Sequence, residues 1–163
     1  MPLYLHLFIH ASLAVLSGYL VGRYSKNICL GVLAGFLGGF LIDLDHVLEY
    51  FFVFGLNFNI YNFFQGRQFL LSDKIYLIFH AWEWLLVLGI VAWLAKKHNK
   101  LKIFILALAL GAFVHLISDV IINKFPLKFY SIIYRASQSY SAPKLLSAEQ
   151  WTDNLEMKKT IDF

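Results

Sequence analysis

A chain of 163 residues that is 60% hydrophobic and only 15% charged is far less charged than a soluble domain, where about a quarter of residues carry charge. The composition excludes a soluble enzyme and points to an integral membrane protein. The net charge of +4 comes with no basic patch interleaved with polar structure, which leaves the lipid bilayer rather than nucleic acid as the partner.

The first apolar span covers residues 3–21 and is closed by Gly22, Arg23, Tyr24 and Lys26. It lacks a basic leader and a small-x-small cleavage site, and it carries His6 and His10 within the apolar run. It therefore reads as a permanent helix rather than a signal peptide. The second span, residues 28–54, is long enough to tilt, and Gly31, Gly35, Gly38 and Gly39 give it a small-xxx-small face for close helix approach. The lone cysteine, Cys29, excludes an intramolecular disulfide and a thiolate zinc knuckle, and reads as a small core residue.

An Asn- and Phe-rich loop over residues 55–74 follows, with Ser72 as the N-cap of a third span, residues 75–95. A polar turn at residues 96–100 leads into the fourth span, residues 101–122, which stops at Asn123-Lys124-Phe125-Pro126 because proline bars further helix. The expected fold is all-α, an integral membrane four-helix bundle running up-down-up-down over residues 1–126. Residues 127–163 form an interfacial and polar tail. In it, residues 127–135 lie on the membrane surface, and Ser147-Ala148-Glu149-Gln150 makes a capping box for one short helix.

The ionisable residues inside these spans carry the functional signal. A charged group at membrane depth costs at least ~2.5–3.5 kcal/mol on insertion scales, so each needs a partner or a purpose. At ~1.5 Å rise per residue, His6, Glu83 and the seven ligand candidates His10, Asp43, Asp45, His46, His80, His115 and Asp119 fall in one layer on the same side of the midplane. On helices, Asp43 and His46 share a face, as do Asp45 and Glu49, and His115 and Asp119. Seven imidazole and carboxylate groups without a thiolate suit zinc, manganese or iron, and they exceed what one tetrahedral ion needs. One or two ions are expected, zinc foremost, with Asp45 as the bridging ligand and Glu83 or Glu49 as proton acceptor. His6 reads as a packing residue, and His98 in the Lys-rich turn as solvated.

Ile42-Asp43-Leu44-Asp45-His46 resembles the P-D-(L/I)-D-H signature of the LexA-binding, inner-membrane-associated hydrolases, a family of membrane-bound metal-dependent hydrolases. The stretch from Gly111 through His115 to Asp119 resembles that family's closing G-x-x-x-H-x-x-x-D, and His10 matches its N-terminal histidine. His80 stands where the family has the second histidine of H-R-G-x-T-H-S. The resemblance covers residues 7–122. It departs at Ile42, which replaces proline, and at Phe79-His80-Ala81-Trp82-Glu83, where the HRG half is missing. One ligand and the family's substrate-binding arginine thus lack counterparts in place, with Glu83 or Arg135 as substitutes.

The resemblance implies a prokaryotic inner-membrane location. Through a more distant likeness to zinc-dependent phospholipases C and single-strand-specific zinc nucleases, it also implies phosphoester hydrolysis. The expected function is a membrane-embedded metal-dependent hydrolase of a lipid or lipid-linked phosphoester. The alternatives are a divalent-metal or proton-coupled carrier, since midplane His and carboxylates also line transport paths, and a non-catalytic membrane partner stabilised by its metal.

Overall fold

The structure, a computed structural model, describes residues 3–160; residues 161–163 of the expected tail and residues 1–2 of the expected bundle lie outside the described residues. Helix α1 (Leu3–Tyr24) is followed by α2 (Ile28–Leu41), which Asn27 caps by accepting from the Leu30 N–H. A short break at Ile42 and Asp43 separates α2 from α3 (Leu44–Phe54). Two short helices, α4 (Ile60–Phe64) and α5 (Arg67–Ser72), lie within the expected loop. Then come α6 (Trp82–Leu94), α7 (Asn99–Asn123), α8 (Ile132–Ser137), α9 (Ala142–Leu145) and α10 (Ala148–Lys159).

Three helical stretches are long and apolar enough to cross a membrane: Tyr4–Tyr24, Ile28–Phe54 and Asn99–Asn123. Their outer faces carry large apolar side chains such as Phe8, Leu20, Leu33 and Ile121. The expected third span departs from this pattern. Only Trp82–Leu94 is helical there, and at 13 residues it extends about 20 Å against a hydrocarbon core of about 30 Å. Residues 75–81 are irregular, and Ser72 ends α5 instead of capping the next span. Helices α1, α2 and α7 form a three-helix core, and the shorter apolar helix α6 packs chiefly on α7.

Glycine sets the distance between these three helices. A Cβ on Gly35 would overlap the backbone of Gly18 on α1, and one on Gly38 would overlap the Leu108 carbonyl on α7. Such backbone-to-backbone approach is how small residues build membrane interfaces, where no hydrophobic force favours helix on helix over helix on lipid. Cys29 is exposed on α2 and is no core residue, because that helix turns its glycine face inward and Cys29 lies off that face.

The tail is not a surface appendage. Phe129, Tyr130, Ala142 and Leu145 bury in one cluster with Ile42 at the α2–α3 break, Ile75 and Leu77 of the irregular segment, and Ala112 and Leu116 on α7. Residues 127–135 form a 3₁₀ turn (Leu127–Tyr130) and the start of α8, with Phe129, Tyr130 and Arg135 turned inward. The capping box at the start of α10 forms as expected: the Gln150 N–H donates to Ser147 Oγ at 3.2 Å, and the Ser147 N–H donates to Gln150 Oε1 at 3.0 Å. Lys158 ties α10 to Asp73 through both carboxylate oxygens at 3.0 Å.

Gly35→Leu should lower the thermal unfolding temperature in detergent, at a cost of at least about 1–3 kcal/mol from overpacking. Gly89→Leu on α6, where a Cβ would meet nothing within 4 Å among the described residues, should leave that temperature unchanged or raise it.

Candidate metal centre

The irregular segment, residues 75–81, places His80, and three buried side chains satisfy much of its backbone, while the Tyr140 carbonyl accepts the Ile75 N–H and Trp84 Nε1 donates to the Ile78 carbonyl. Glu49 accepts the N–H groups of Tyr76 and Leu77 at 2.8 and 3.2 Å. Asp45 Oδ2 accepts those of Phe79 and His80 at 2.9 and 3.1 Å. Arg135, wholly buried, donates to the carbonyls of Tyr76, Leu77, Phe129 and His80. Leu77 is held with a φ of +42°, a left-handed conformation that costs a non-glycine residue roughly 1–2 kcal/mol. Glu49 on its N–H and Arg135 on its carbonyl keep it there.

Asp45 also faces the His80 ring, with Nδ1 at 3.0 and 2.9 Å from its two carboxylate oxygens. A carboxylate accepts and does not donate, so His80 Nδ1 carries the proton and Nε2 the free lone pair. In the neutral ring, that is the carboxylate–histidine pairing that orients metal-binding imidazoles. Asp45 lies behind His80 rather than between two ions.

Beyond His80 Nε2 the donor atoms converge. His115 Nε2 is 3.3 Å away, and Asp119 Oδ2 lies 3.3 Å from His80 Nε2 and 3.4 Å from His115 Nε2. Asp43 Oδ1 closes a second triangle on the same edge, 3.5 Å from His80 Nε2 and 3.4 Å from His115 Nε2. An ion bound to nitrogen and oxygen at about 2.0–2.1 Å in tetrahedral geometry has ligand–ligand edges of about 3.3–3.4 Å. Each triangle has the size of one face of that tetrahedron, so the residues could hold a metal ion. His80, His115 and Asp119 are all buried, so water gives little help in separating their lone pairs.

The other oxygen of Asp119 faces α1. Oδ1 lies 3.3 Å from His10 Nε2 and 3.6 Å from His6 Nε2, and it accepts from Asn123 Nδ2 at 3.1 Å. Asp119, not Asp45, is the carboxylate shared between two groups of donors. His6, expected as a packing residue, belongs to the second group. His10 Nε2 is buried and meets Asp119 Oδ1 at ion-pair distance, without the geometry of a well-formed hydrogen bond.

The two groups are linked by a contact of 2.8 Å between His10 Nδ1 and His115 Nδ1. One of these nitrogens must donate and the other accept. The ring that donates from Nδ1 keeps a lone pair at Nε2; the ring that accepts carries its proton at Nε2. While that bond stands and both rings are neutral, only one of the two groups can offer its full set of lone pairs to an ion.

His46 is partly exposed, 3.6 Å from Asp43 Oδ1, with its ring 5.0 Å from that of His80, and with those two residues it forms a third group of donors that could hold an ion. The remaining candidates have other partners. Glu49, expected as a proton acceptor, holds the Tyr76 and Leu77 amides and is buried away from the cluster. Glu83, the other expected acceptor, takes hydrogen bonds from Ser131 Oγ and the N–H groups of Ile132 and Ile133. It is an anionic cap on the N-terminus of α8, where backbone donors and the helix dipole favour negative charge. Arg135 has its donors on backbone carbonyls and does not reach the cluster as a substitute substrate-binding arginine.

A cavity of about 460 Å³ opens onto His6, Asp43, His46, His80 and Asp119 and runs beneath α10, whose Gln150, Asp153, Asn154 and Met157 form its far wall. Tyr130 and Asn123 also line it; sequence reasoning missed both, since nothing in their local pattern marks them. Burial, with the Asp119 charge adding to it, pushes the Tyr130 phenol well above its ordinary value and keeps it a neutral hydrogen-bond donor. Comparisons with family models, with curated proteins and with solved structures gave no match to this chain.

His115→Ala and Asp119→Ala should each abolish stoichiometric metal binding measured by elemental analysis. Asp45→Asn should leave binding detectable but about 10–100-fold weaker in a competitive chelator titration, the range for loss of an outer carboxylate partner. Arg135→Met strands carbonyls at about 1–3 kcal/mol each, so it should lower the unfolding temperature more than either ligand variant.

Proposed function

We propose that the protein is a membrane-embedded metal-dependent hydrolase of phosphoesters, with one tightly held divalent cation, zinc by preference. The observation that carries this reading is the pair of ligand triangles hinged on the His80–His115 edge, beside a cavity large enough for a small polar group. His80, His115 and Asp119 would hold the ion, with Asp43 as fourth donor. In this assignment His115 Nδ1 donates to His10 Nδ1, and His10 Nε2–H faces Asp119 Oδ1 from 3.3 Å. His10 then orients His115, as Asp45 orients His80.

A divalent cation in such a site supplies Lewis acidity toward a phosphoryl oxygen and lowers the pKa of water. The chain's own contribution follows from what faces the cavity. His46 is not required by either triangle, borders the cavity, and lies within reach of Asp43, so it is the group placed to take a proton from an attacking water. Tyr130 supplies a neutral donor to an anionic substrate. Among the described residues no lysine or arginine lines the cavity, so binding of a phosphoester anion there depends on the cation. The resemblance of the DLDH and HxxxD stretches to the LexA-binding, inner-membrane-associated hydrolases supports the same reading, including a prokaryotic inner-membrane location.

Purified protein should hydrolyse bis(p-nitrophenyl) phosphate, lose the activity with a strong chelator and regain it with added zinc. His46→Ala should lower turnover about 10²–10⁴-fold, the range for loss of a general base, with metal content unchanged. Full metal content without hydrolysis of any phosphoester, together with zinc flux into proteoliposomes, would refute the enzyme and favour the carrier.

A further inference from the structure

The cavity beneath α10 is not the only approach to the cluster. A second one, about 410 Å³, also reaches His6, Asp43 and His46, and it runs outward between α1, α3 and the α4–α5 pair. Its walls are apolar: Phe40, Leu44, Val47, Phe63 and Phe64. Phe40, Leu44 and Phe64 are exposed at its mouth, the first two on a helical stretch long enough to cross a membrane. The first cavity ends differently. Its far wall carries Gln150, Asp153 and Asn154, and Asn154 is buried with Oδ1 lacking a hydrogen-bond partner among the described residues. One chamber is a slot suited to hydrocarbon, the other offers acceptors without a cation, and the donor cluster lies where they meet.

From this we infer that the site takes a single phosphoester amphiphile from the bilayer. Its chain lies in the slot between α1 and α3–α5, its phosphate at the donor cluster, and a head that donates hydrogen bonds lies under α10. The inference rests on the reading of the cluster as a phosphoester site and names its substrate class. An ammonium or a set of hydroxyls meets the head requirement, because either can donate to Asp153 and to Asn154 Oδ1. A head ending in further anionic oxygens does not, since no lysine or arginine among the described residues faces it.

The test is native mass spectrometry of the zinc-loaded full chain released from micelles doped with dioleoyl phosphatidylethanolamine or dioleoyl phosphatidic acid. The expected result is one phosphatidylethanolamine adduct per chain, at least fivefold favoured over phosphatidic acid. Val47→Trp, which fills the slot, should reduce that adduct at least tenfold while elemental analysis still finds the metal. Leu44→Trp gives the same readout at the mouth of the slot should the first variant fold poorly. Asn154→Leu should narrow the preference for the amine head, and dioleoyl phosphatidylglycerol, with hydroxyls in place of the amine, should bind as well as phosphatidylethanolamine.

An adduct that persists in both metal-loaded tryptophan variants would overturn the slot, and equal binding of phosphatidic acid would overturn the head chamber. The binding readout is separate from turnover. Lipid held in the slot with no hydrolysis of any phosphoester would remove the enzyme reading alone. Hydrolysis of a soluble phosphodiester with no slot-dependent lipid binding would remove this inference alone.

Discussion

The structure depends on satisfying the backbone of one buried, non-helical segment. Residues 75–81 interrupt what would otherwise be a continuous apolar helix, and their amides and carbonyls have no ladder of their own. A backbone group left unpaired in an apolar interior costs several kcal/mol, so irregular chain survives there only where protein supplies the partners. Two carboxylates one helical turn apart on α3, Asp45 and Glu49, take four of the amides, and the Arg135 guanidinium takes three of the carbonyls. The i, i+4 spacing on α3 matches the reach needed to hold successive amide pairs. A left-handed Leu77 and a fixed His80 are the consequences.

This arrangement divides the acidic residues by task. Asp43 and Asp119 face the converging ring nitrogens, whereas Asp45, Glu49 and Glu83 accept from backbone amides. Both groups are carboxylates in apolar surroundings, and sequence depth alone does not separate them. Asp45 bridges the two tasks, because the oxygen that accepts the His80 amide belongs to the carboxylate that fixes the His80 ring tautomer. Folding of the segment and readiness of the cluster are thereby one event. Arg135 joins the C-terminal region to the same event, since α8 cannot detach without stranding the carbonyls of residues 76, 77 and 80.

The glycine contacts and the two cavities follow from how tightly different helices approach. α1, α2 and α7 meet backbone to backbone at Gly18, Gly35, Gly38 and Gly111, which leaves no space among them for a ligand. Access to the donor cluster therefore falls where side chains rather than backbones form the contact: beneath α10, and beside α3 and the short helices that follow it.

The chain by itself determined the helical class, the bounds of the three long apolar helices to within a few residues, the capping box before α10, and the gathering of His10, His80, His115, Asp43 and Asp119 at one level. These follow from local hydropathy, helical rise and the cost of ionisable groups at depth, all of which act along a single stretch of chain. Only tertiary structure decided that residues 75–81 leave the helix, that Asp45 stands behind His80, that Glu49 and Glu83 hold amides, and that His6 belongs with the cluster. The tail's burial and its role as a roof over the cavity were decided there as well. The physical reason is common to all of them. A carboxylate or guanidinium bonds whichever partner it meets in space, and for Glu49, Glu83 and Arg135 that partner lies 27 to 59 positions away in sequence.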